Sequence, residues 1–117
     1  MGNFEKLHVW QKAKNLAVKV YKLTRNGEFS KDFGFRDQIQ RSAVSIPSNI
    51  SEGDELETGR QSIRHFYIAK GSSAELLTQL MIGREIGYIK STDASQLIND
   101  CKLISVMLTK LINARRN

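Results

Sequence analysis

A chain of 117 residues, 40% hydrophobic and 26% charged, is long enough for one domain with a single core and has the make-up of a soluble globular protein. One proline and eight glycines argue against low-complexity linkers, and the lone cysteine, Cys101, excludes a disulfide framework and fits a reduced cytoplasmic setting. The formal net charge of +6 is uneven: residues 1–26 carry +5, residues 27–90 carry −1 and residues 91–117 carry +2. The N-terminal residues lack an apolar signal core, and no run approaches the roughly 18 apolar residues of a membrane helix.

The first helix is expected from His8 to Arg25. Val9, Ala13, Leu16, Val20 and Leu23 alternate steps of 4 and 3, a stripe suited to near-parallel bundle packing. Trp10, Ala17 and Tyr21 widen it on one flank. Lys12, Lys19 and Lys22 share the opposite face, with Lys14 and Arg25 at its edges. Asn26-Gly27 closes the helix, since glycine tolerates the left-handed conformation common at C-termini. Glu28 to Gly34 reads as a loop whose Phe29 and Phe33 cover the bundle end.

The second helix is expected from Phe35 to about Glu55. Phe35, Ile39, Ala43, Ile46 and Ile50 step by 4, 4, 3 and 4, which is a helical stripe and not the alternation of a strand. Pro47 lies inside it and leaves the carbonyl of Ala43 without its helical donor. Either one helix is kinked there, or it ends and another begins with Ser45 as cap and Pro47 in its first turn. The stripe keeps its phase across Pro47, which favours the kink. Asp54, Glu55 and Glu57 form a small acidic cluster in the next connection and read as a solvated turn.

The third helix spans about Arg60 to Ile86 with two stripes. One holds Phe66, Ala69, Ser73, Leu76, Leu80 and Gly83, and the other Ile63, Tyr67, Ala74, Leu77 and Met81. Two stripes imply a central helix or an oligomer contact. An antiparallel hairpin turning near Glu57 sets Ala43 opposite Gly71 and Ser45 opposite Ala69, so that small residues would let the backbones approach. Ser91, Thr92 and Asp93 offer cap oxygens for a fourth helix, whose stripe is Ala94, Leu97, Cys101, Ile104, Leu108 and Leu111. Leu103, Val106 and Met107 lie off that stripe and suggest burial against another subunit. Residues 114–117 are expected to fray. The pattern predicts an all-α fold, an up-down-up-down antiparallel four-helix bundle with its second helix kinked at Pro47.

Three blocks, FEKLHVWQKA, QIQRSAVSIPSNISEG and FYIAKGSSAELLTQL, occur in this order, and through them essentially the whole chain resembles the four-helix bundle proteins of the 23S ribosomal RNA intervening-sequence family. The resemblance implies a closed bundle assembling as a ring, typically a homopentamer, in proteins encoded within ribosomal RNA insertions or elsewhere in bacterial genomes. At fold level it is also similar to the basic accessory variability protein of diversity-generating retroelements, which partners a reverse transcriptase; nucleic-acid binding follows from that only by analogy. The resemblance supplies no catalytic residue. Its motif positions here are Gln38, Arg41, Ser45, Pro47, Asn49, Glu52, Gly53, Gly71, Ser72 and Glu75, with structural or interface roles. Gln40 stands where a basic residue is common and Ser51 where alanine is common, which weakens this helix as a basic reader.

Enzymatic chemistry finds no support in the motifs. His8 and His65 share no metal-ligand spacing, no Glu-x-x-His pair exists for di-metal bundle chemistry, and no HExxH, GxSxG or phosphate-loop pattern occurs. No cofactor or metal is implied. Arg41, Asn49 and Glu52 are expected to link helices, with Glu75 or Gln79 as partners. Two functional classes remain. In one, Lys12, Lys14, Lys19, Lys22 and Arg25 neutralise phosphates of RNA or DNA without sequence preference, and no exposed aromatic interleaves with them for stacking. In the other, the protein is an oligomeric scaffold for protein partners.

Overall fold

The computed structural model describes residues 3–56 and 59–116. After a 3-10 turn at Phe4–Lys6, the helices are α1 (His8–Thr24), α2 (Gly27–Lys31), α3 (Phe33–Glu55), α4 (Gly59–Glu85) and α5 (Ser91–Arg115). The four long helices form an elongated body of 45 × 21 × 20 Å. Neighbours run antiparallel around a square: α1 packs on α3, α3 on α4, α4 on α5 and α5 back on α1. The described residues contain no strand.

Each long helix is amphipathic at helical spacing and buries its stripe in one shared core. Val9, Ala13, Leu16 and Val20 of α1 meet Ile39, Ala43, Ile46 and Ile50 of α3, with Ala69, Leu76 and Leu80 of α4 and Cys101, Ile104 and Leu108 of α5 completing the core. Burying such side chains stabilises the fold by roughly 1.5–3 kcal/mol each before the entropy cost of ordering them. Cys101 lies in this core, and burial, together with the nearby Asp100 charge, pushes its thiol up to about 12. α3 runs unbroken from Phe33 to Glu55 with buried Pro47 inside it, so the alternative of two helices meeting at Ser45 does not describe the chain.

Several local expectations are corrected. The stretch after Gly27 is not all loop: Gly27 takes φ +64 and opens the short α2. Phe29 of α2 is buried and stacks on Phe35, but Phe33 is 65% exposed, its ring beneath the Arg36 guanidinium. Asp32 closes this end in two directions. Its Oδ1 accepts from the Phe35 backbone N–H (3.2 Å), capping α3, and its Oδ2 accepts from the Tyr88 hydroxyl (3.0 Å). That carboxylate holds the Tyr88 phenol above its ordinary range. α5 starts after Lys90 without a side-chain cap, so none of Ser91, Thr92 and Asp93 serves as one.

The chain end is tied down up to Arg116. Arg115 pairs with Asp54 at 2.6 Å and lies over the Phe66 ring, while Arg116 bonds the Tyr67 hydroxyl. Asp54 is therefore half of a clamp between the C-terminal ends of α3 and α5, not part of a solvated acidic turn. Glu57, the third member of the expected acidic cluster, and Asn117 lie outside the described residues.

Candidate nucleic-acid interface

The basic residues of α1 do not form one face once their neighbours are known. At 100° per residue, Lys12 and Lys19 turn toward α5, whereas Lys14 and Arg25 turn toward α3. Lys19 pairs with Asp100 of α5 at 3.6 Å, so its charge is partly answered. Lys14, Lys22 and Arg25 line an open groove of about 380 Å³ between α1 and α3, whose floor is Ala17, Val18, Tyr21, Val44 and Pro47; Lys22 also borders a hollow toward α5 with Lys19, Asp93 and Gln96. Lys14 also lies over the Trp10 ring at 5.8 Å, which holds its stem against α1. Among the described residues, Lys12, Lys14, Lys22 and Arg25 have no carboxylate within ion-pair distance.

The groove continues over α3. A second hollow of about 510 Å³ shares Tyr21 and Val44 with the first and is lined further by Asp37, Gln40, Arg41, Ser45, Ser48 and Asn49. Arg41 is exposed there, with no carboxylate partner among the described residues. Asp37 is its nearest acidic counterweight in the lining and pairs with Arg36 at 3.7 Å. Gln40 is held in place by donating to the Thr24 hydroxyl (2.9 Å), which itself donates to Val20 O.

Tyr21 is 42% exposed at the centre of this groove, which corrects the expectation that no exposed aromatic stands among the cations. A signal for it exists in the sequence: Lys14, Val18, Tyr21 and Arg25 step by 4, 3 and 4, a second stripe beside the core stripe. Only the position of α3 reveals that this stripe borders a groove.

From the edge of this second hollow, whose lining includes Ser45 and Asn49, a polar ladder joins α3 to α4. Ser42 Oγ reaches the Gln38 carbonyl (3.0 Å) and Glu75 Oε1 (2.9 Å), and the Ser45 and Ser72 hydroxyls share a hydrogen bond of 2.8 Å. Asn49 Nδ2 donates to Ser45 O (2.9 Å) and Oγ (3.1 Å), leaving its oxygen to accept from His65 Nδ1 at 3.0 Å. Asn49 thus links the helices through His65, not through the expected Glu75 or Gln79. Arg41 and Glu52 do not join this ladder, and Gln79 is buried with its Oε1 unpartnered. Nearer the turn, Ser62 Oγ donates to Gly53 O at 2.6 Å. A Cβ on Gly53 would meet Phe66 Cε1 at 2.7 Å, so the close approach of α3 and α4 occurs at Gly53. Gly71, expected to serve that purpose opposite Ala43, is exposed with open space around it. It lies 200° around α4 from buried Ser73, so being level with α3 does not make it face α3.

Residues 5–110 match the family model described as 23S rRNA-intervening sequence protein. The chain belongs to this family. No curated protein matches it. Among solved structures it is similar to a protein of unknown function from the S23 ribosomal protein family of Bacteroides thetaiotaomicron. The two share 28% identity over 89% of this chain and 97% of that one, with a TM-score of 0.82. In this intervening-sequence protein the motif positions divide by location. Ser45, Asn49, Ser72 and Glu75 form the α3–α4 ladder, with Gln38 contributing only its carbonyl. Gly53 serves the close approach, Pro47 floors the α1–α3 groove and Arg41 lines its extension. Glu52 lines a hollow with Phe4, Glu55 and His65 at the other end of α3. No helix among the described residues is long and apolar enough to cross a membrane.

Proposed function

We propose that this protein is a non-enzymatic, self-assembling bundle of the reducing cytoplasm that holds RNA or DNA through phosphate contacts, without reading sequence. The observation that carries this is the convergence of Lys14, Lys22 and Arg25 on one groove, with no carboxylate in ion-pair reach and Arg41 in its extension. A cationic groove with low-dielectric walls concentrates polyanions, and assembly repeats it on every subunit. Pro47, whose missing N–H leaves the Ala43 carbonyl without its helical donor, lies in the floor of the groove.

Self-assembly draws on the outward face of α4, where Tyr67, Ile68 and Ile82 are exposed, on Ile86 just past its end, and on Leu103 and Val106 of α5. Family resemblance sets the expected number at five. Those same apolar residues also suit a protein-interaction scaffold with no nucleic-acid role, which is the second reading.

Anisotropy of labelled structured RNA and duplex DNA, at about 50 and 200 mM salt, tests the first reading. The logarithm of affinity should fall linearly with that of salt, and Lys14→Glu with Lys22→Glu and Arg25→Glu should flatten the slope by about 3 per engaged groove. Sedimentation checks that the variant still assembles. Binding that survives the charge reversal removes the groove as the surface, and absence of binding at low salt leaves the scaffold reading.

A further inference from the structure

We infer that the α1–α3 groove takes an unpaired base of a single-stranded nucleic acid, stacked on Tyr21, while Lys14, Lys22 and Arg25 hold the flanking phosphates. The inference rests on the phosphate-binding reading above and names the strand that the groove selects.

Phosphate contacts alone account for the cations but not for the apolar floor between them. A duplex keeps its bases stacked inside and presents phosphates and groove edges, so Tyr21, Val18 and Val44 would gain nothing from it. A single strand offers both chemistries at once: a charged backbone and flat, weakly solvated bases. The lining matches this pairing. Cations stand on the α1 rim from Lys14 to Arg25, a rise of about 16 Å. Tyr21 lies between them along α1, and Pro47 and Val44 of α3 line the same groove. The adjoining hollow adds neutral groups suited to base edges and sugars, the Gln40 amide and the Ser48 hydroxyl.

Length decides against an acidic amphipathic helix as occupant. Helix-in-groove recognition uses anchors at i, i+3, i+4 and i+7, about 10 Å of apolar floor. Along α1 the floor runs only from Ala17 to Tyr21, about 6 Å, before Lys22 and Arg25 take over. That is room for one or two stacked bases at about 3.4 Å each. Every cation at this rim is also exposed, so it reaches a backbone lying across the groove.

The test compares a labelled thymidine 20-mer, an abasic 20-mer with the same phosphates, the matching duplex and heparin, by anisotropy and competition at about 50 mM salt. The wild-type protein should bind the thymidine strand about 10-fold more tightly than the abasic strand. Tyr21→Ala should erase that difference and leave the abasic strand, the duplex and heparin unchanged, while Tyr21→Trp should keep it. Tyr21 lies outside the core, and circular dichroism verifies that each variant folds. Unchanged thymidine-strand binding in Tyr21→Ala, with binding still lost on charge reversal of Lys14, Lys22 and Arg25, overturns the stacking role and leaves the phosphate reading standing. No binding of any polyanion removes both. A Glu-rich peptide that binds more tightly than the strand, with the same dependence on Tyr21, assigns the groove to a protein partner and overturns the inference.

Discussion

One substitution, glycine to alanine, should have opposite effects at Gly53 and Gly71. Both residues sit inside helices with ordinary backbone angles, so alanine brings the same intrinsic gain of about 1 kcal/mol at each. At Gly71 a Cβ meets nothing within 4 Å, and the gain stands alone. At Gly53 it falls 2.7 Å from Phe66 Cε1 and 3.0 Å from the Ser62 carbonyl oxygen. Neither neighbour gives way cheaply: the Phe66 ring is fully buried beneath Arg115, and the Ser62 oxygen is backbone. Overpacking of this kind costs about 1–3 kcal/mol, and the shift also strains the Ser62–Gly53 hydrogen bond, so a net loss of about 1–2 kcal/mol is expected. At about 2.1 cal/mol/K per residue, the unfolding entropy of this chain makes 1 kcal/mol worth about 4 °C. Gly71→Ala should raise Tm by about 4 °C, and Gly53→Ala should lower it by about 4–8 °C. Thermal melts by far-UV circular dichroism, repeated over a range of protein concentrations to separate folding from assembly, measure both. A Gly53→Ala variant as stable as wild type would refute the close approach of α3 and α4 at that point.

The clamp at the C-terminal end gives a second prediction. The Asp54 side chain is only 8% exposed, so Arg115→Ala strands its carboxylate and should cost about 2 kcal/mol by urea titration. Asp54→Asn in the same chain should recover part of that loss, and full additivity of the two changes would show that the pair is not coupled. A third concerns Cys101, whose thiol is raised to about 12. Its contribution to stability is complete below the unfolded thiol's pKa, near 9, and is lost as pH rises toward 12, because the unfolded chain releases this proton first. Stability should therefore fall over that range, and Cys101→Ala should flatten the fall. A thiol reagent at pH 8 should label Cys101 only after denaturation, and rapid labelling of the native protein would contradict its burial.

The core was legible because each long helix buries one face, and a period of 3.6 marks that face without knowledge of the partner helix. Val9, Ala13, Leu16 and Val20 are all buried, as are Ile39, Ala43, Ile46 and Ile50. Periodicity does not say which helix stands beside a stripe, and what was misread depended on that. Gly71 was level with α3 but turned away from it. Phe29 and Phe33 are alike in sequence, yet only Phe29 has Phe35 and Tyr88 beside it. Arg115 looked like a fraying tail because Asp54, 61 residues away, could not be placed near it.

The lysine face failed as a unit for the same reason, and its division changes the electrostatics. Five cations on α1 suggest five phosphate contacts when only the helix is considered. With α5 and α3 in place, Lys19 answers Asp100, Lys12 lies on the α5 side, and three cations border the groove. Charge excess on one helix is therefore a poor measure of binding capacity in a bundle, because each flank of that helix faces a different neighbour. In α1 the flank beside α5 meets an acid, whereas the flank beside α3 meets Val44 and Pro47, apolar residues that offer its cations no carboxylate. What distinguishes this groove from an ordinary solvated lysine surface is that its uncompensated charge stands next to exposed apolar area, which is why a single-stranded polyanion is its proposed occupant.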